Sequence, residues 1–205
     1  METKIIENIS LDISPRRILI RTGYSAREEI PDDEYERLEK ELPQMLALCE
    51  PKIIMGELDV REISNNRIVL SDGISFCSVS LLKVIGGSRK VTIYAATIGD
   101  AVEERSQKYS DSGEYRSSLL WDAFGSEAAE ALARKVSIIV HQRAKQSEMR
   151  ITARYSPGYG DLKIDENPKI LNLLDAEKIG IFCSDANMLI PRKSTTGIIG
   201  WIPFG

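Results

Sequence analysis

The sequence predicts an α+β fold, a bent and mostly antiparallel sheet flanked by long helices. The β-branched run at residues 91–98, VTIYAATI, is typical of a strand. Residues 114–145 instead carry an apolar stripe at helical spacing, enough for one helix about 45–50 Å long. Segments of the two kinds come in uneven groups, which favours this class over a regular alternation of strands and helices around a parallel sheet.

The first quarter of the chain is predicted to be helical. A short helix begins at Pro15, because Pro is tolerated in a first turn. Residues 24–31 are predicted as a loop and residues 32–49 as a second helix, which Pro43 bends or divides. We expect residues 1–50 to form an N-terminal helical segment that packs on the main α+β domain, residues 51–205.

The remaining elements follow from changes in hydrophobic period. Strands are predicted on both sides of Asn65-Asn66, and a short helix at residues 78–85. After the long helix we expect a strand at 151–155, a helix at 166–178, and final strands at 181–191 and 196–203. Residues 123–133 of the long helix are rich in Ala, Gly and Ser, so another backbone or a ligand can approach closely there.

Composition narrows the class of protein. The net charge of −4 and the lack of a Lys/Arg-rich run argue against nucleic acid as the main partner. No apolar run is long enough to span a bilayer, and no export signal is seen at the N-terminus. The three cysteines are widely separated, which indicates buried thiols in a reducing compartment. We therefore expect a cytoplasmic protein that does not associate with membranes.

No self-contained catalytic site is visible in the sequence. The phosphate-loop, dinucleotide and nucleophile-elbow motifs are absent, and His141 is the only histidine, expected at the surface of the long helix. One alternative is an enzyme that uses Cys183 or Cys77 as a nucleophile, although neither thiol has a visible base partner. We expect neither a metal site nor a catalytic residue.

The most informative stretch is RYSPGYGD, residues 154–161. Pro157 fixes its own φ, and Gly158 can adopt a positive φ that exposes its backbone N–H and C=O to a ligand. Arg154 supplies a planar cation that can hold a carboxylate through two parallel hydrogen bonds. Tyr159 adds a flat face and a hydroxyl. The loop is either an ordinary tight turn or a binding loop for an amino-acid-like ligand.

Four segments in the same order resemble the reactivation domain of cobalamin-dependent methionine synthase, which binds S-adenosylmethionine (AdoMet). They are AAEALAR (128–134), RYSPGY (154–159), LNLLDAEKIGI (171–181) and MLIPRKSTTGIIGW (188–201). The resemblance covers most of residues 90–201 and implies the fold of that domain. The family pattern continues with Pro after its Gly-Tyr, whereas this sequence has Gly160-Asp161.

The resemblance also implies a function and a set of site residues. A stand-alone subunit would bind AdoMet beside a cobalamin held by a partner methyltransferase, with a flavodoxin-like or other electron donor, in methionine biosynthesis or another corrinoid pathway. Arg154 would meet the AdoMet carboxylate, Ser156 and Gly158 would make backbone contacts, and Tyr159 would line the site. Glu130 would face the cationic end of the ligand.

Two alternatives remain open from the residues. Glu130 lies with Glu127 and Arg134 away from the apolar stripe of the helix, and Arg134 is four residues further on. That is the spacing of an ordinary surface ion pair, which would leave Glu130 no role in binding. For the whole protein, the alternative is an interaction module that docks on a corrinoid protein and no longer binds AdoMet.

Overall fold

The computed structural model describes residues 1–25 and 30–204 and has the predicted α+β architecture. Two 3₁₀ turns, Ile164–Glu166 and Ala176–Ile179, flank the last helix. None of the helices in these ranges is long and apolar enough to cross a membrane. In chain order the elements are β1 (Thr3–Ile6), α1 (Pro15–Arg21), α2 (Asp32–Ala47), β2 (Lys52–Ser64), β3 (Arg67–Leu70), β4 (Ser75–Cys77), α3 (Val79–Ile85), β5 (Lys90–Thr97), α4 (Ala101–Asp111), α5 (Tyr115–Gln146), β6 (Met149–Tyr155), α6 (Asn167–Leu174), β7 (Phe182–Cys183), β8 (Leu189–Ile190) and β9 (Ser194–Pro203).

The main sheet has seven antiparallel strands in the order β4-β3-β2-β5-β9-β6, with β1 paired to β2. Strands β1 and β3 occupy successive parts of one edge of β2, and an irregularity between Val60 and Glu62 separates β3 from the straight part of the strand. Strand β1 lies in the segment predicted to be helical, and the sequence analysis did not anticipate it. Strands β7 and β8 form a separate hairpin.

Both faces of the sheet are covered, so every residue of β5 after Lys90 is buried. Tyr94 and Ala96 point toward a core shared with α1, α2, α4 and α5. Ile93 and Ala95 point to the opposite face, toward α3 and α6. Alternate side chains of β5 therefore pack into two separate cores, one on each face of the sheet. The long helix α5 covers one of these faces.

Several predicted elements are confirmed, and two need correction. Helix α5 has nearly the predicted bounds. Helix α2 continues through Pro43 as one helix, so the division that was one of the two expectations there does not occur. Residues 181–191 are not one strand, because a turn closed by hydrogen bonds between Ser184 and both Asn187 and Met188 folds them into the β7–β8 hairpin. The helix predicted at 166–178 is divided at Asp175, whose φ is +54°. Of the predicted loop 24–31, residues 26–29 lie outside the described residues.

Candidate ligand-binding cleft

A cleft of about 620 Å³ opens where α5, the end of β6, the following loop, the β7–β8 hairpin and the start of β9 meet. Its volume is in the range of small-molecule binding sites. Four of the five residues predicted to form the site line it, and Gly158 does not. The lining residues are Glu130, Arg154, Tyr155, Ser156, Pro157, Tyr159, Ile164, Asn167, Met188, Leu189, Arg192, Ser194, Thr195 and Thr196.

Arg154 and Glu130 form an ion pair at the cleft. Strand β6 presents Arg154 and helix α5 presents Glu130, and Arg154 Nη2 donates to Glu130 Oε1 over 2.7 Å. The two side chains are 25% and 41% exposed, so both remain accessible to a ligand. Burial lowers the pKa of Arg154, but its hydrogen bond with Glu130 and neighbouring charges raise the pKa by more, and the net shift is upward. The guanidinium is therefore a permanent cation.

Arg134 forms its closer ion pair with Glu127, whereas the sequence spacing had suggested a pair with Glu130. The side chain of Glu127 is only 2% exposed, and Arg134 Nη2 donates to its Oε1 over 2.7 Å. Arg21 and Arg17 reach the same carboxylate from α1, at 3.2 and 3.5 Å. The distance from Arg134 to Glu130 is 3.9 Å, which is a weaker contact. Placing Glu127 on an exposed face was wrong, because α1 covers that part of α5, and Glu130 is left to Arg154 and the cleft.

The loop after β6 is a tight turn with a positive φ at Gly158, as predicted. Tyr159 N–H donates to Ser156 C=O over 3.3 Å, with Pro157 and Gly158 between them and a Gly158 φ of +93°. This pattern is typical of a type II turn. The Gly158 N–H donates to Leu162 C=O over 2.7 Å. The prediction that this N–H is exposed for a ligand was therefore wrong, because the loop itself takes up the hydrogen bond.

Gly160 and Asp161 fasten this loop to the start of α3. The Asp161 carboxylate accepts hydrogen bonds from the Ser78 hydroxyl at 2.5 Å and from the backbone N–H groups of Val79 and Ser80 at 2.8 and 3.0 Å. The bond from Ser78 is the largest cause of a lowered Asp161 pKa, and the Ser80 N–H adds to it. A side chain at residue 160 would collide with Ser80, since a Cβ there would lie 2.7 Å from Ser80 Oγ. The Gly-Asp step, which departs from the family pattern, thus has a structural role in holding the loop.

The back of the cleft contains polar residues that the sequence analysis did not select. Thr196 Oγ1 donates to Asn167 Oδ1 over 2.7 Å, and Asn167 Nδ2 donates to Asn187 C=O over 3.0 Å. These bonds join β9, α6 and the β7–β8 hairpin, so they hold three walls of the cleft together. The polar run at residues 194–196, inside an otherwise apolar strand, was the signal in the sequence that could have identified this wall.

The small-residue part of α5 permits a close approach, as predicted, and the approaching group is a lysine side chain. A Cβ on Gly125 would lie 3.0 Å from Lys193 Cε and 3.0 Å from Val102 Cγ1. Lys193 is 11% exposed, and its Nζ donates to Asp122 Oδ1 over 2.8 Å and to Ser126 Oγ over 2.9 Å. The Ala- and Gly-rich surface therefore positions the segment that leads into β9 and the cleft.

The thiols give little support to a nucleophile. Cys77 is exposed, and Cys49 and Cys183 are half-buried, so the expectation of three buried thiols was wrong. Burial raises the pKa of Cys49 to about 12 and also raises that of Cys183, which disfavours the reactive thiolate. His141 is exposed, as predicted. Within residues 1–25 and 30–204, no group of three or more His, Cys, Asp or Glu side chains could hold a metal ion.

The fold and the cleft together define an α+β domain with a candidate small-molecule cleft, whose charged lining residues are Glu130, Arg154 and Arg192. No protein-family model and no curated protein matches the chain. Among solved structures it is similar to the crystal structure of the MetH reactivation domain bound to AdoHcy, with a TM-score of 0.72 and 16% sequence identity over all of this chain and 80% of that one. The chain therefore has the fold of the reactivation domain that the sequence motifs indicated.

Proposed function

We propose that this protein is an AdoMet-binding subunit that supports the reductive remethylation of a corrinoid or cobalamin methyltransferase such as methionine synthase. The Arg154–Glu130 pair in the cleft is the observation that carries the proposal. The similar MetH domain was crystallised with AdoHcy, the product that AdoMet leaves after losing its methyl group. The cleft lies at the loop and helix that the sequence motifs selected.

The charges in the cleft match those of AdoMet. The amino-acid end of AdoMet carries a carboxylate and an ammonium, and a sulfonium lies further along the molecule. The Arg154 guanidinium can hold the carboxylate through two hydrogen bonds, and the Glu130 carboxylate can attract the cationic groups. Partly exposed ion pairs such as Arg154–Glu130 contribute about 1 kcal/mol or less, so a ligand can replace this pair at little cost.

In this proposal the role of the protein is to orient AdoMet. AdoMet, when bound, supplies the methyl group for the cobalt of a corrinoid that the partner carries, while a flavodoxin-like or other donor supplies an electron. Arg154 and Glu130 fix the amino-acid end, and Ser156 and Tyr159 border the ligand. Fixing the methyl donor in one position provides the orientation that the transfer requires.

The mouth of the cleft is suited to a second protein. Tyr159 and Met188 line the cleft and are 68% and 56% exposed, as large apolar side chains at a binding surface often are. A corrinoid protein that covers this mouth would bring its cobalt toward the methyl group and exclude water from the transfer.

Calorimetry tests the proposal directly. Titration with AdoMet and with AdoHcy, with and without a corrinoid methyltransferase, should give saturable heat, and addition of the protein should permit AdoMet-dependent remethylation of an inactive cobalamin enzyme. Absence of binding at about millimolar ligand in both settings would contradict the proposal, because even weak recognition by two charged contacts is detectable there.

A second candidate is a docking module that binds a corrinoid protein without AdoMet. It is favoured by the fact that Arg154 and the Gly158 N–H both have partners within the protein, Glu130 and Leu162. This candidate predicts capture of a corrinoid protein with an affinity that AdoMet does not change. AdoMet-dependent remethylation would exclude it.

A further inference from the structure

Tyr94 crosses strand β9 and lies buried beneath residues that line the cleft. In the antiparallel register of β5 and β9, Tyr94 lies directly opposite Gly197. A Cβ on Gly197 would be 2.8 Å from Tyr94 Cε1 and 2.9 Å from its hydroxyl oxygen. The missing side chain at residue 197 therefore lets the tyrosine ring lie across β9, on the side of the sheet that faces α5.

The hydroxyl of Tyr94 is buried without a partner. Tyr94 is 0% exposed, and no hydrogen-bond partner for its hydroxyl is found among the described residues. Burial raises the pKa of Tyr94, whereas the charge of Arg154 and polar contacts with Thr195, Ser156 and Arg154 lower it. These contacts are close, but none has both the distance and the angle of a hydrogen bond. A phenylalanine would fill the same space without an unsatisfied polar atom, so the hydroxyl requires an explanation.

All three polar neighbours of this hydroxyl line the cleft. In the structure Arg154 is directed to Glu130, over 2.7 Å. A ligand carboxylate that binds Arg154 would compete with that bond. The guanidinium has five N–H donors, so it can serve a ligand on one side and a buried acceptor on the other.

We propose that Tyr94 is a positioning residue for a carboxylate subsite: its hydroxyl accepts a hydrogen bond from Arg154 when Arg154 holds the carboxylate of the ligand. The hydroxyl hydrogen is then donated to Ser156 or Thr195. The hydroxyl thus gains well-formed hydrogen bonds in the bound state, and these add to ligand affinity. This inference rests on the proposed binding of AdoMet in the cleft.

The variant Tyr94→Phe tests the inference, because it keeps the ring and removes only the hydroxyl. We expect the Kd for AdoMet and AdoHcy to rise about tenfold, the size of a single hydrogen bond to a charged group. Binding of 5′-methylthioadenosine, which has the adenosine but no carboxylate, should not change. The melting temperature should not fall, because no hydrogen bond is lost in the free protein. Tyr109→Phe, on α4 and outside the cleft lining, is the matched control.

A double-mutant cycle shows whether Tyr94 acts through Arg154. In an Arg154→Ala background, Tyr94→Phe should have no further effect on the Kd. An equal Kd for AdoHcy in Tyr94→Phe and wild type, or an unchanged effect in the Arg154→Ala background, would overturn the inference and leave the proposed function intact. A parallel loss of 5′-methylthioadenosine binding with a lower melting temperature would also overturn it, since that indicates a general packing role. If the wild type binds neither AdoMet nor AdoHcy, the proposed function fails and the inference fails with it.

Discussion

Arg154 on β6 and Glu130 on α5 meet across the cleft, with 2.7 Å between Nη2 and Oε1. The pair links the edge of the sheet to the long helix, and each partner carries the charge opposite to one end of an amino acid. A zwitterionic ligand therefore finds its two complementary groups already adjacent.

Replacement of Arg154 by alanine should weaken AdoMet binding by about 1.5–3 kcal/mol, the range for hydrogen bonds to charged groups. The reason is that the ligand carboxylate would lose the cation that β6 places in the cleft. Isothermal titration calorimetry measures the change. Arg150→Ala is the matched control, since Arg150 lies on the same strand, is exposed and does not line the cleft. Equal affinities for the two variants would remove Arg154 from the binding site.

Substitution of Glu127 should change the stability of the protein, whereas substitution of Glu130 should change the binding of AdoMet. Glu127→Gln should lower the free energy of unfolding by about 1–2 kcal/mol, because a buried carboxylate that joins α1 to α5 loses its charge, while its arginine partners can still reach solvent. Glu130→Gln should change stability by less than about 1 kcal/mol and weaken AdoMet instead. Urea unfolding and calorimetry on both variants test the pair. The opposite assignment of effects would show that Glu130 is the structural residue.

Asp161 should make the attachment of the loop dependent on pH. Its pKa is lowered from the ordinary value of 3.8, chiefly by the hydrogen bond from Ser78. The stabilisation is therefore complete above about that ordinary value and is lost as the pH falls through the lower pKa of the folded state. Wild type should be more stable than Asp161→Asn at neutral pH, and the difference should shrink in acid.

The measurement for Asp161 is urea unfolding at neutral pH and at about pH 2, well below the ordinary range for a carboxylate. Asp59→Asn, an exposed carboxylate on β2, serves as the control and should show no such pH-dependent difference. A wild-type advantage that stays constant across this range would contradict the role assigned to the Asp161 charge.

Gly197→Ala should destabilise the protein by about 1–3 kcal/mol, the usual cost of inserting a methyl group into a packed core. The new Cβ would collide with the Tyr94 ring at 2.8–3.0 Å. Thermal unfolding measures the loss. Gly87→Ala is the control, because a Cβ there meets only Ile202 Cδ1, at 3.9 Å. Similar melting temperatures for the two variants would show that the ring of Tyr94 adapts freely.

Local sequence patterns were sufficient for most of the secondary structure. The β-branched run of β5 and the apolar stripe of α5 each specify an element without reference to distant residues. Local patterns gave a wrong prediction at residues 181–191. The apolar residues there suggested one strand, but the turn after Ser184 produces a hairpin. Strand β1 escaped prediction because its pairing partner, β2, lies about fifty residues further along the chain.

Part of the cleft was predictable because some of its residues are close together in the sequence. Arg154, Pro157 and Gly158 are close in sequence, so their turn and its cation could be recognised as one local unit. The use of the Gly158 N–H could not be foreseen, because its acceptor depends on how the loop closes on Leu162. The motif Ser-Thr-Thr-Gly was visible, but the function of its glycine required the register between β5 and β9.

The sequence by itself determined most of the helices and strands, the glycine-containing bend beside Arg154, and the resemblance that pointed to the reactivation-domain fold. Only the tertiary structure decided that Glu127 is buried under α1 and that Glu130 faces Arg154. It also decided that the Tyr94 ring lies across Gly197, beneath the cleft. The physical reason is that periodicity and turn chemistry act between neighbours in the chain, whereas burial and charge pairing depend on which distant segments the two cores bring together.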